Sequence, residues 1–279
     1  MTAPMPPTFN APPGAFMLTT HGSVQGDTVQ SLWDLRSFAE GQGLRNVHWG
    51  MVNGTLVDKA RCDSVRLMLS NTANQWLCFL DADMTTQPDF LVRMLATAYM
   101  THPWADVVGA YCNLRGDMAI PTIDSGTGTW ESHAPGSGVI EVMRTGAAAL
   151  LIKRHVFERL RDPWFATRVP MRHIDALAEI DNLARMKFDG RNPLRGLPGK
   201  PWEMMEEIAG NDPGLASFVP VEVGEDSGFC DKVRNAGMRI VVDTGIVTGH
   251  VDRRITNYET HKEAVRKQKQ MIRHCVGLL

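Results

Sequence analysis

The stretch Trp76-Leu77-Cys78-Phe79-Leu80 runs without a break into Asp81-Ala82-Asp83. Consecutive apolar residues suit a strand covered on both faces, the usual state of a parallel strand in an α/β sheet. Two carboxylates one residue apart then stand where that strand ends. In an extended segment Asp81 and Asp83 point the same way, into the crevice at the carboxyl ends of the strands where α/β sheets bind ligands. Like charges held so close call for a cation between them. Oxygen donors suit Mg2+ or Mn2+, bridged to phosphate oxygens. A solvated turn after the strand is the other reading of the same residues.

Working outward, the same alternation repeats on the N-terminal side. Phe16–Thr19 reads as a first strand that ends at His21-Gly22-Ser23. Ser31–Glu40 reads as a helix with Leu32, Leu35, Phe38 and Ala39 on one face and Gly41 as its stop. A second strand, Val47–Val52, ends at Asn53-Gly54, and Leu56–Ser70 follows as a helix with Val57, Ala60, Ser64, Leu67 and Met68 facing inward. On the C-terminal side, Pro88 and the spacing of Phe90, Leu91, Met94, Leu95 and Ala98 predict a helix. Val107–Cys112 is a short buried strand, and 113–138, rich in Gly, Ser, Thr and Pro, a long loop of the functional kind. Strand character returns over Val139–Lys153, around Thr145-Gly146. Alternating strands and helices predict βαβ units in an α/β fold with a central, mainly parallel sheet.

Composition sets the outer bounds. The chain has 279 residues, 43% hydrophobic and 22% charged, enough for one large α/β domain or two small ones and for a substantial core. A formal net charge of -2 exerts no overall pull on nucleic acid or anionic lipid. No run approaches the roughly 20 apolar residues of a membrane span, and the Pro- and Ala-rich start lacks the basic and apolar regions of a secretory signal. Cys62, Cys78, Cys112, Cys230 and Cys275 form no C-x-x-C pair. Scattered cysteines in apolar surroundings fit a reducing, cytoplasmic setting.

Two further groups carry chemistry. Glu225 and Asp226 open a helix with Phe229, Val233 and Ala236 at helical spacing and Gly237 as its stop. Acidic residues there are stabilised by the helix dipole by about 0.3–1 kcal/mol, so capping accounts for them as well as general-base chemistry does. His250 follows a strand over Met238–Val242, after glycines that let the chain turn. Alone it reads as a structural or exposed histidine rather than a metal ligand.

Taken in order, the strand with Asp-x-Asp, Thr-Gly at a later strand, Glu-Asp opening a helix, and Gly-His after the next strand resemble the GT-A glycosyltransferases. The match is to the family-2 type and to short phage and bacterial members, over about 15–160 and 222–251. The resemblance implies a Rossmann-like nucleotide-sugar-binding domain. It makes Asp81, Ala82 and Asp83 the diphosphate-binding motif, and Asp81, Asp83 and His250 ligands of Mn2+ or Mg2+. Glu225-Asp226 becomes the pair that supplies the catalytic base. Thr19, Thr20 and His21 match the strand and loop that hold the nucleotide, and Arg61 an arginine facing the donor. Gly146, Trp164 and Phe165 match positions beside the acceptor, where Trp202 joins them in our reading.

The implied domain layout is a tail over 1–14, one catalytic domain over 15–255 and a C-terminal helix over 256–279. Within the domain, 15–112 is the donor half and 139–251 the acceptor half, with an insertion at 166–222 that departs from the family. The expected partner is a nucleotide-sugar donor, UDP by default, and both retention and inversion at the sugar occur on this fold. From Thr256 onward Lys262, Arg266, Lys267, Lys269 and Arg273 outnumber Glu259 and Glu263. That excess suits an anionic acceptor, such as a hydroxymethylated base of phage DNA extruded against the aromatic rings. A glycan or small-molecule acceptor fits the same rings. A nucleotidyltransferase would need a basic phosphate loop, and 19–26 has no Lys or Arg. A binding protein without turnover is the remaining rival.

Overall fold

The computed structural model describes residues 11–20, 23–54, 56–114, 120–166, 224–251 and 255–256. The chain divides into two compact units, Met1–Ala166 with Glu225–Leu279, and Thr167–Gly224. Every element below belongs to the first. The tail over 1–10, His21, Trp202 with the rest of 167–223, and the helix expected through 279 from 257 lie outside the described residues.

The unit opens with β1 (Gly14–Thr20), α1 (Gly26–Gly41), β2 (Val47–Asn53), α2 (Val57–Ser70) and β3 (Trp76–Asp81). Next come β4 (Met84–Thr86), α3 (Phe90–Ala96) with a π-helical turn at Thr97–Thr101, and β5 (Val107–Tyr111). β6 (Ile123–Asp124), β7 (Val139–Val142), β8 (Arg144–Thr145), β9 (Ala149–Lys153) and α4 (Arg154–Arg159) follow. α5 (Glu225–Asn235), β10 (Ile240–Val251) and β11 (Ile255–Thr256) complete it.

The main sheet has the order β11-β10-β5-β9-β3-β1-β2. β1 is parallel to both β2 and β3, and β10 is parallel to β5. β9 runs antiparallel between β3 and β5, and β11 is antiparallel to β10. Five of the seven strands in that order therefore point one way, the mainly parallel sheet that the pattern predicts.

Both faces of the sheet are covered, which is why β3 reads as an unbroken apolar run. Leu77 and Phe79 pack with Cys62, Val65 and Met68 of α2 and with Phe229 and Val233 of α5. Trp76, Cys78 and Leu80 point the other way, toward Leu35 and Ala39 of α1 and Leu91, Met94 and Leu95 of α3. A period of two along a strand separates these sets. Gly14 is required at its position, because an added Cβ would lie 2.2 Å from the buried Trp76 ring.

The structure corrects several local expectations. Leu67 (52% exposed) and Phe38 (36%) face solvent, and Arg61, Cys62 and Val65 take the inner face of α2 instead. The strand character of Val139–Lys153 resolves into three strands, β7, β8 and β9. β10 does not turn at its glycines but continues to Val251, with a register shift between Asp243 and Val247. Gly245 sits at that irregularity, where a Cβ would meet the Arg93 guanidinium at 2.7 Å. Thr256 ends a strand rather than beginning a helix.

Candidate active site

β3 ends at Asp81, and Ala82-Asp83 form a turn into β4, so the two aspartates do not share one extended segment. The turn is fixed by backbone bonds: Ala82 donates to the carbonyl of Thr19 at 2.9 Å, and Gln25, just before α1, donates to the carbonyl of Ala82 at 3.5 Å. Asp81 is therefore set at the mouth of β1 and β3, with Thr19 Oγ1 donating to its Oδ1 at 2.6 Å. Thr20 is turned to the loops, donating to the carbonyl of Ser23 at 3.3 Å and accepting from the N–H of Gly54 at 3.1 Å.

Arg61 lies on the inner face of α2 and is 2% exposed. One terminal nitrogen donates to both oxygens of Asp81, at 3.1 and 3.0 Å, and the other is ion-paired with Glu225 at the start of α5. The Phe165 ring lies 5.9 Å from the guanidinium carbon. Burial alone pulls this guanidinium's pKa down, but Asp81, Glu225 and Asp226 outweigh it and hold the pKa above the ordinary arginine value. A buried cation thus sits among three carboxylates from two remote motifs.

Asp226 differs from its neighbour. Burial first, and then the charge of Glu225, push its carboxyl above the usual aspartate range. The Ser227 N–H donates to its Oδ1 at 2.6 Å and opposes that rise. A partly buried carboxylate with raised basicity at the first turn of a helix is equipped to take a proton.

α5 is held by contacts that sequence reading did not single out. Arg144 of β8 grips Asp231 at 2.9 and 3.0 Å, and Cys230 Sγ donates to the carbonyl of Thr145 at 3.5 Å. No local signal announces pairs so distant in sequence. Gly146, next to Thr145, is buried, and a Cβ there would come within 3.0 Å of the Thr122 hydroxyl. Burial pushes the Cys230 and Cys112 thiols up to about 12, so neither is reactive.

Trp164 and Phe165, expected beside the acceptor, have their rings in the core. Both are core residues, 7% and 1% exposed. Phe165 stacks on Phe229 of α5 with centroids 4.3 Å apart, and Trp164 Nε1 donates to the carbonyl of Phe157 at 2.9 Å. The loop 113–138 has internal order: Asp124 accepts from the N–H groups of Gly126 and Gly128 at 2.9 and 3.0 Å.

His250 is 9% exposed and lies on β10 opposite Met84 of β4. The N–H of Val251 donates to the carbonyl of Asp83 at 2.6 Å, so the ladder brings the backbone at Asp83 beside the residue that follows His250. Among the described residues no group of three or more His, Cys, Asp or Glu side chains converges to hold a metal ion. A carboxylate such as Asp83 and an imidazole such as His250 are donor types that a divalent cation accepts. Asp81 is committed to Arg61 and Thr19 instead. No helix among the described residues is long and apolar enough to cross a membrane.

The chain matches no protein-family model and no curated protein. Its fold is similar to that of A197 from STIV, with a TM-score of 0.53 at 16% identity, over 89% of this chain and 91% of that one. The chain has a mixed α/β fold with a central, mainly parallel sheet. It is also similar, at a TM-score of 0.49 and 9% identity, to GalNAc-T7 with UDP, GalNAc and Mn2+, over 92% of this chain and 48% of that one. A glycosyltransferase involved in the glycosylation of the major capsid of PBCV-1 aligns at 0.30 and 10% identity, over 83% and 92%. The strand end at Asp81 and the helix start at Glu225 meet through Arg61.

Proposed function

We propose that this chain is an inverting glycosyltransferase that moves a sugar from a nucleotide-diphosphate sugar, with UDP as the nucleotide, to an acceptor hydroxyl. The observation that carries the reading is the meeting of two acidic motifs around one buried arginine, at the strand ends of a mainly parallel α/β sheet. Asp226 removes the hydroxyl proton as that oxygen attacks the anomeric carbon. The bond from that carbon to the diphosphate oxygen breaks, and the nucleoside diphosphate leaves with the electron pair. The raised basicity of Asp226 supports its role as base.

Asp83 and His250 would hold the divalent cation, Mn2+ or Mg2+, with the diphosphate. When bound, it neutralises charge that develops on the leaving group. Thr19 and the backbone of Ala82 hold the strand-end turn in shape for the donor. Stacking on Trp164 and Phe165 is closed to any acceptor, which removes from the DNA reading two of the rings it relied on.

Release of UDP from UDP-sugars, followed with Mn2+ and with EDTA, tests the proposal. Metal-dependent release, faster with a competent acceptor, is expected. Tight binding of UDP-sugars with no release under any metal would make the chain a binding protein.

A further inference from the structure

An arginine near a strand-end acidic motif invites a donor-binding role, but this one has little to offer a donor. Arg61 is 2% exposed, and both terminal nitrogens are engaged, one by Asp81 and one by Glu225. Its Nε is buried without a hydrogen-bond partner, and the Phe165 ring lies to one side of the guanidinium. A phosphate could reach this guanidinium only by displacing a carboxylate. What Arg61 does instead is fix distances. Asp81 belongs to the last position of β3, and Glu225 is the first residue of α5.

The packing of Phe229, Cys230 and Val233 sets where α5 lies, but these side chains begin one turn beyond Asp226. A helix advances about 100° per residue, so a small rotation of the first turn carries Asp226 away from the donor end of the sheet. The Glu225–Arg61–Asp81 chain is the contact that resists this rotation. Without the cation, Asp81, Glu225 and Asp226 would also repel one another.

We propose that Arg61 is a positioning residue that couples the donor end of β3 to the base-bearing first turn of α5, and is not itself a donor ligand. The inference rests on the reading of Asp226 as the base. Its test has one arm that needs turnover and one that does not.

In Arg61→Lys the charge remains and the planar fork is lost. With the full-length chain, kcat for transfer from a UDP-sugar should fall by about 10- to 100-fold. KM for the UDP-sugar and the Kd of UDP should stay within about threefold of the parent. If instead the Kd of UDP and the KM for the UDP-sugar rise by about 10-fold or more while kcat holds, Arg61 is a donor ligand and the proposal fails.

The second arm is amide hydrogen exchange on the parent, Arg61→Lys and Glu225→Ala. Exchange should quicken at Ser227–Cys230 in both variants and stay unchanged at Val233–Asn235. Equal protection of the first turn in all three proteins overturns the proposal even if no sugar is ever transferred. A parent chain without turnover refutes the glycosyltransferase reading and leaves this arm to decide the role of Arg61. Should Arg61→Lys not fold, Glu225→Ala breaks the same ion pair from its less buried end.

Discussion

Glu225 and Asp226 are adjacent on one helical turn, yet only Glu225 gives its carboxylate to Arg61, while Asp226 is met by the N–H of Ser227 and raised by burial and by Glu225's charge. Two carboxylates in different environments divide into one that holds and one that reacts.

Asp226→Asn should therefore cut turnover by about 10²–10⁴-fold with the Kd of UDP unchanged. The rising limb of the parent's rate against pH should stand above the ordinary aspartate range. An equal loss in Glu225→Gln with full activity in Asp226→Asn would move the base one residue back.

The same residue makes a prediction for stability. Its folded pKa lies above the unfolded value of about 3.9, so between the two the native state binds more protons than the unfolded one. Stability from this group is fully present below that window and is lost as pH rises through it. Asp226→Asn cannot ionise. Its melting temperature should match the parent at low pH and exceed it progressively above the ordinary aspartate range. Parallel melting curves across pH would refute the buried, raised carboxyl.

Asp83→Asn and His250→Ala should each abolish the tightening of UDP binding by Mn2+, with little effect in EDTA. Isothermal calorimetry in the two buffers reads this directly. Retention of the full Mn2+ effect in both variants would take the cation away from the β4–β10 ladder.

Phe165→Ala should cost about 3–5 kcal/mol in urea unfolding, as for a large ring removed from a packed core. Phe165→Leu should cost less and leave KM for any acceptor unchanged. An acceptor KM effect without a stability loss would return the ring to the substrate side.

Gly14→Ala should destabilise by about 1–3 kcal/mol, since its Cβ must displace the Trp76 indole, whose Nε1 is also bonded to the Pro12 carbonyl at 2.8 Å. A neutral substitution in the same denaturation assay would mean that β1 can shift past the ring.

What was legible in sequence was what neighbouring residues decide. The run from Trp76 to Leu80 declares a doubly covered strand because five apolar side chains cannot all point one way. Phe229 and Val233 declare a helix face by their spacing. Asp81 and Asp83 were read correctly as a strand end but not as a shared face, since the chain turns at Ala82 and nothing local marks that turn. The Arg61–Glu225 pair spans 164 positions, and only the sheet order brings its ends together. Trp164 and Phe165 entered only through the resemblance, and the partners that bury them, Phe157 and Phe229, are set by packing that no neighbouring residue announces.

Phe165 and Glu225 stand just before and just after the second unit, Thr167–Gly224, and both meet the same guanidinium. The frame thus closes on itself at the point where that unit departs and returns. Closing a longer loop between fixed ends costs only slowly more entropy, so the frame sets almost no limit on the length of what is inserted there. Arg61 in this light is the rivet of a modular joint. A change in the length of the chain between these two ends would leave the strand end at Asp81, the helix start at Glu225 and the core beneath them where they are.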